Sequence, residues 1–281
     1  MIWQTSRFAL DLRVPHVMGI VNVTPDSFFD GGLHASTAAA LKHCEKLVAD
    51  GAHILDIGGE SSRPGAVPLP LDEELARVLP IVRAAVTMGI AVSVDTYKPE
   101  VMGAVLDMGA DIINDIWGLR QPGAAQLVAR YPNCGVCLMH MHREPQTMQT
   151  APMQGDVVPQ VLALLVHRAQ ELQTLGVCHE QIVLDPGIGF GKTVAQNFNL
   201  LARQREFLAA GYPLLAGWSR KSSLATATSK SLADLATLDV QSRLVPSVAA
   251  ALLAVERGAS IVRVHDVRET LQALAVLAAI Q

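Results

Sequence analysis

Nine polar residues in this chain stand where short apolar runs stop, and their types are those that do chemistry. Eight runs rich in β-branched residues end on Asn22, Asp56, Asp95, Asn114, His140, Asp185, Lys221 and the pair Arg263 and His265. In an extended strand, alternate side chains share a face, so Arg263 and His265 point together. The same holds for Ile20 with Asn22, Ser93 with Asp95, Val183 with Asp185, and Gly217 with Ser219 and Lys221. A single Asp or Asn at a strand end is as well explained by a local bond to backbone amides. A whole ring is not, because several buried charges without a ligand or mutual pairing are costly. Arg263 and His265 are two donors on one face and suit an anionic oxygen such as a phosphate. His140 and His142 are each equally well read as structural histidines.

The elements that must position this ring follow from the spacing. Strands are expected at 17–23, 54–58, 91–96, 112–117, 136–141, 182–185, 213–219 and 261–265, too far apart for hairpins. Between them apolar residues recur at helical spacing, as in Val158, Val161, Leu162, Leu165, Ala169 and Leu172. Ser36-Thr37 reads as the start of one helix, and Asp72, Glu73 and Glu74 place negative charge in the first turn of another. Gly51, Gly89, Gly109, Gly176, Gly211 and Gly258 each stand between a helix and the next strand, as left-handed helix ends require. Eight such units predict a (β/α)8 TIM barrel over residues 1–281 as one domain, with its active face at the carboxyl ends of the strands. Two connections, 22–36 and 58–71, are long and rich in turn residues, which makes them lid candidates.

Composition narrows the function classes. Half of the 281 residues are hydrophobic and 17% are charged, which suits parallel strands buried on both faces beneath helices. A net charge of -4 with no basic run points away from nucleic acid and from an anionic membrane surface. No apolar stretch reaches the roughly 18 to 20 residues of a membrane span, and Asp11 and Arg13 interrupt the start where a secretory leader would be apolar. A cytoplasmic protein is expected. Cys44, Cys134, Cys137 and Cys178 fit reduced thiols. Cys134 and Cys137 form a C-x-x-C, but on a strand they point to opposite faces, which is poor geometry for one zinc ion. The helical segments 240–256 and 268–280 are apolar over more than one face, which predicts a homodimer through them. Gly191-Lys192-Thr193 suggests a phosphate loop, but Pro186 stands where a Walker A motif needs its first Gly.

Six motifs together resemble dihydropteroate synthase: Asn22-Val23-Thr24-Pro25-Asp26-Ser27-Phe28, Gly58-Gly59-Glu60-Ser61-Ser62-Arg63-Pro64-Gly65, Ile113-Asn114-Asp115, Asp185-Pro186-Gly187-Ile188-Gly189-Phe190, Ser219-Arg220-Lys221 and Arg263-Val264-His265-Asp266. They run nearly end to end in the family's order. The resemblance implies condensation of 7,8-dihydropterin-6-ylmethyl diphosphate with 4-aminobenzoate, releasing pyrophosphate, in folate biosynthesis. It implies that Asp95, Asn114 and Asp185 take the pterin donors, that Lys221 serves its acceptors, and that Met139, Phe190 and Gly217 line its pocket. Arg263 would stack on the pterin and approach the diphosphate with His265. Asn22 would stand near the diphosphate and its Mg²⁺, with Ser62 and Arg63 adding donors. Phe28, Pro64, Ser219 and Arg220 would hold the aminobenzoate, with Lys221 between the two substrates. Asp95, Asp185, Lys221, Arg263 and His265 are the catalytic candidates, while Asp56 and His140 have no assigned ligand.

The chain departs from the family's pattern in places. Ser62 stands where Thr is common and keeps the hydroxyl. Phe29 replaces a frequent Ser and adds an aromatic beside Phe28, which bears on the aminobenzoate pocket of this sulfonamide target. Trp218 is bulkier than usual, and alternation points it away from the site. Barrels that move a methyl group from a reduced folate to a corrinoid share the pterin residues, but lack the combination of Ser61-Ser62-Arg63-Pro64-Gly65 and Ser219-Arg220-Lys221. A pterin binder without catalysis is the third reading, and both loops with both cationic positions argue against it.

Overall fold

A computed structural model of the chain describes residues 1–23, 32–63, 65–231 and 239–280. Its central feature is an eight-stranded parallel sheet. In chain order the strands are β3 (His16–Asn22), β4 (Ile54–Gly58), β5 (Ala91–Asp95), β6 (Ile112–Asp115), β7 (Gly135–Met139), β8 (Ile182–Asp185), β9 (Leu215–Ala216) and β10 (Ile261–Val264). The hydrogen-bonded order is β8-β7-β6-β5-β4-β3-β10-β9, and a parallel bridge between Leu184 and Leu214 joins the two ends. The expected barrel is therefore present, each strand lying within a few residues of its predicted span.

Helices α1 (Gly32–Ala49), α2 (Leu71–Ala85), α3 (Pro99–Asp107), α4 (Ala124–Val128), α5 (Val157–Thr174), α6 (Val194–Ala202), α7 (Ser222–Ser231), α8 (Leu244–Glu256) and α9 (Val267–Ala278) connect and surround the strands. On α5, Val158, Val161, Leu165, Ala169 and Leu172 are buried, the stripe that its spacing requires. The six helix-ending glycines all take positive φ, from 73° to 96°. Ser36 and Thr37 do not start a helix: α1 already runs through them, whereas a cap needs non-helical backbone. Asp72, Glu73 and Glu74 do occupy the first turn of α2, where they face the positive end of its dipole.

Strand alternation divides the core in two. Outward-facing residues such as Val17, Val21, Leu55, Ile57, Val92 and Val94 pack under the helices in one large cluster. Inward-facing Met18, Ile54, Ala91, Ile112, Cys137, Val183, Leu215 and Ile261 fill the amino-terminal half of the barrel. An antiparallel hairpin of β1 (Ile2–Gln4) and β2 (Ala9–Asp11) closes that end. Its Trp3 is fully buried in the inner cluster and donates from Nε1 to the carbonyl of Gln181 at 2.9 Å. Arg7 pairs with buried Asp111 at 2.5 Å. The hairpin is absent from the sequence reading, because two strands of three residues have too little periodicity to register.

Cys134 packs in the outer cluster and Cys137 in the inner one, so the two thiols lie on opposite sides of the sheet. All four cysteines are free. Among the described residues no helix is long and apolar enough to cross a membrane.

Candidate active site

Each strand carries its chain from the apolar floor to the opposite end, where the next inward-facing residues are polar. A cavity of about 430 Å³ opens there. Its wall includes Asn22 from β3, Asp95 from β5, Asn114 from β6, Met139 from β7, Asp185 from β8, Gly217, Ser219, Arg220 and Lys221 after β9, and Arg263 with His265 from β10. Ser62 and Arg63 join from the connection after β4. The fold thus gathers nearly all the predicted site residues around one space. Phe28, Phe29 and Pro64 lie outside the described residues, as does most of the predicted lid at 22–36.

One part of the lining sets buried charged groups beside an apolar cluster. Asp185 is buried and accepts from the backbone N–H of Gly187 at 2.7 Å; burial raises its pKa, against the pull of that bond and of Lys221. Lys221 lies with Nζ 4.3 Å from the centre of the Phe190 ring. Burial, with Arg263 nearby, lowers its pKa to about 8. Ile116, Met139, Met141, Met148 and Phe190 form an apolar cluster beside these polar groups. A Cβ placed on Gly217 would meet nothing within 4 Å, so that position leaves room for a flat ligand.

Arg263 is the electrostatic centre. Its Nε donates to Asp56 at 2.5 Å and its Nη2 to Asp95 at 2.9 Å, so one guanidinium serves two carboxylates. Asp56 is fully buried beneath the cavity wall and also accepts from Ser93 Oγ at 2.6 Å and Asn114 Nδ2 at 3.2 Å. It therefore aims three groups without lining the cavity itself. Asp95 shares Arg263 with Asp56, and burial raises its pKa to about 7 despite that guanidinium.

His265 is neutral: burial, then Arg220 and Arg263, lower its pKa to about 3. Its backbone N–H donates to Ser219 Oγ at 3.2 Å, while Nδ1 lies 2.8 Å from that same oxygen. Ser219 Oγ thus meets both the backbone N–H and the Nδ1 edge of His265 and fixes the orientation of the ring.

Arg220 has φ of 59°, a left-handed conformation rare outside glycine. It is held there by Ser247 Oγ, which accepts its N–H at 2.9 Å, and by Arg243 Nη1, which donates to its carbonyl at 2.9 Å. Its guanidinium pairs with Asp266 at 2.8 Å. The loop carrying Ser62 and Arg63 is anchored through Glu60, which accepts from Tyr97 Oη at 2.8 Å and from Lys98 Nζ. Lys98 also reaches buried Glu74 on α2.

The ring of strand ends needs one correction. His140 stops the fifth run, but β7 turns Met139 inward and buries His140 behind the wall, against Lys192. Trp218 points away as expected, buried among the outer core against Phe198 at 5.4 Å. Met148, Ile116, Ile188 and Arg243 line the cavity and were not singled out from sequence. Met148 and Ile188 sit in irregular connections with no periodicity to mark them, Arg243 in a short 3-10 turn ahead of α8, and Ile116 on the same face as Asn114 in the expected strand.

Residues 18–265 match the family model described as pterin binding enzyme. The chain is 46% identical to dihydropteroate synthase of Escherichia coli over 272 residues, 96% of this chain and 93% of that protein. It superposes on Xanthomonas albilineans dihydropteroate synthase with 4-aminobenzoic acid at a TM-score of 0.89 and 46% identity, covering 97% of this chain and 95% of that one. Burkholderia cenocepacia dihydropteroate synthase complexed with 7,8-dihydropteroate matches at 0.87 and 49% identity, over 99% and 96% of the two chains.

Proposed function

The chain belongs to the dihydropteroate synthase family, and from that premise we propose how its residues divide the family's reaction. That transferase reaction joins 7,8-dihydropterin-6-ylmethyl diphosphate to 4-aminobenzoate and yields 7,8-dihydropteroate and pyrophosphate. The observation that carries the division is one cavity lined by two differently equipped sets of residues: Asp185, Asn114, Lys221 and the apolar cluster, and Ser62, Arg63, Ser219, Arg220 and His265.

The pterin edge offers amino and ring N–H donors beside carbonyl and ring-nitrogen acceptors. Asp185, Asn114 and Asp95 serve the donors, and Lys221 the acceptors. Arg263 and the neutral imidazole of His265 serve the diphosphate. In a dissociative substitution, the bond from the pterin methylene to the diphosphate oxygen breaks and its electron pair leaves with pyrophosphate. The aromatic amine, neutral at pH 7, then donates its lone pair to the methylene carbon and gives up a proton. Arg263 and His265 stabilise the departing charge, and Asp95 with Asp185 the cation conjugated to the ring. No dedicated base is required.

Asn22 offers a hard amide oxygen at the cavity wall. This fits Mg²⁺, which takes most of its ligands from diphosphate and water. When bound, Mg²⁺ would neutralise charge on the leaving group. We further propose a homodimer through α8 and α9, whose outer faces leave Val245, Val276 and Ile280 from 67% to 79% exposed. Four free thiols suit the reducing cytoplasm.

The test is to incubate purified protein with the pterin diphosphate, 4-aminobenzoate and Mg²⁺, and to follow dihydropteroate by chromatography. Product that requires all three supports the full reading, and product without Mg²⁺ after chelation removes the metal from it. No product despite tight pterin binding would leave a binding protein. Sedimentation at micromolar concentration reads the dimer, and a monomer there would overturn that part.

A further inference from the structure

Lys192 places an amine where the reaction has no use for one, and burial lowers its pKa to about 7, so the acceptors around it decide how well the ammonium form is held. It is 2% exposed and is absent from the cavity wall. Its Nζ lies 2.8 Å from the carbonyl of Gly187, 3.1 Å from that of Phe190, 3.3 Å from that of His140, and 2.9 Å from His140 Nδ1. Burial followed by the charge of Lys192 lowers the His140 pKa to about 2, so the imidazole is neutral and Nδ1 accepts. Every partner within bonding distance is thus a neutral acceptor, and among the described residues no carboxylate pairs with this ammonium. Burying a cation in this way is costly, which demands something in return.

What it secures is a backbone shape. The segment 187–191 folds back against the end of β7, and its carbonyls at Gly187 and Phe190 turn inward to a common point. Two glycines permit the approach. A Cβ on Gly187 (φ 69°) would stand 1.9 Å from the His140 carbonyl oxygen, and one on Gly191 (φ 72°) would stand 2.6 Å from His142 Cβ. Like-oriented carbonyls at such close quarters repel one another, and the ammonium between them removes that repulsion. The outer side of the same segment is the ligand-facing one: Ile188, Gly189 and Phe190 line the cavity, next to Asp185 and Met139. Asn197 Oδ1 accepts the N–H of Gly189 at 2.8 Å, and Gln149 Nε2 donates to its carbonyl at 2.7 Å. Lys192 is therefore the hub behind this segment, while Ser219 is held by His265 and Arg220 by Ser247, Arg243 and Asp266, none of which bonds Lys192.

We propose that Lys192, braced by His140, is a positioning residue for the pterin alone: it holds segment 187–191 so that Phe190 and Asp185 present the pterin wall, and it has no part in holding 4-aminobenzoate. This rests on the division of the cavity argued above. Lys192→Met is expected to raise KM for the pterin diphosphate at least about tenfold while KM for 4-aminobenzoate stays within about twofold. A second pair of variants covers the case in which Lys192→Met does not fold. His140→Leu removes the side-chain acceptor and should act like Lys192→Met, whereas His140→Asn supplies an oxygen near the place of Nδ1 and should restore pterin KM to within about threefold of the parent. Calorimetry with the pterin diphosphate alone reads the same loss as Kd, so absence of turnover in the parent protein, which would sink the proposed reaction, is not confused with failure here. An unchanged pterin Kd in both Lys192→Met and His140→Leu overturns the proposal. So does a parallel rise in both KM values with a drop in the unfolding midpoint, which is what a merely structural lysine would produce.

Discussion

The floor and the mouth of the barrel interior are made by the same strands, two residues apart. Met18, Ile54, Ala91, Ile112, Val183 and Ile261 form the floor. One alternation step later the same strands present Ile20, Asp56, Ser93, Asn114, Asp185 and Arg263, about 7 Å further along the axis at the usual rise of a strand. The floor is fully buried and, Cys137 apart, holds no titratable group; the mouth holds carboxylates and cations in direct contact. The difference teaches that the apolar layer sets the terms for the polar one. Sealed below by Trp3 and the hairpin, the charges at the mouth are far from water on one side, which raises Asp95 and Asp185 and lowers Lys221. A dry foundation also strengthens each charge interaction above it.

This contrast can be broken in order of expected effect. Asp185→Asn keeps the shape but removes the charge facing the pterin donors, and kcat/KM should fall about a thousandfold, roughly 4 kcal/mol of binding and transition-state stabilisation, with an unchanged melting temperature. Unaltered affinity in calorimetry would mean that another carboxylate reads the pterin. Met18→Ala in the floor should do the opposite: a loss of about 3 kcal/mol in denaturant unfolding with kcat/KM within about twofold, since the cavity it leaves lies below the polar layer. A large loss of activity there would join floor and mouth into one unit. Asp56→Asn, between the two, should lower kcat/KM by about ten- to a hundredfold although Asp56 touches no cavity, because Arg263 and Asn114 lose the carboxylate that aims them.

The smallest effect is that of pH. Pterin recognition wants Asp95 ionised and Lys221 protonated. Protonation of Asp95 as pH falls through about 7, and deprotonation of Lys221 as it rises through about 8, should make kcat/KM bell-shaped with a narrow top. A flat profile from pH 6 to 9 would show that the mouth is wetter than its burial implies.

Much of this was legible beforehand. The strands, the helix-ending glycines and the inward-pointing pairs such as Ser93 with Asp95 follow from periods of 2 and 3.6 residues, which are local properties of the chain. Most cavity-lining residues were legible for the same reason: an inward-facing polar residue at the end of a barrel strand meets the cavity, whereas Asp56 stays beneath its wall and alternation turns His140 behind it. Illegible residues fall into two kinds. Met148 and Arg243 reach the cavity from irregular connections. Asp56, His140 and Lys192 are visible in the sequence, but the pairing of Lys192 with His140 spans 52 residues and that of Asp56 with Arg263 spans 207.

Sequence alone determined which residues alternate inward, where each strand and helix must end, and which side chains could meet a pterin and a diphosphate. Only the tertiary structure decided that Arg263 is shared between Asp56 and Asp95, that His265 is tied through Nδ1 to Ser219, and that Lys192 bonds a backbone segment instead of a nucleotide. The physical reason is one of range. Periodicity and turn preference act over a few neighbours, whereas charge pairing, burial and hydrogen-bond sharing are set by groups that meet only when the barrel closes.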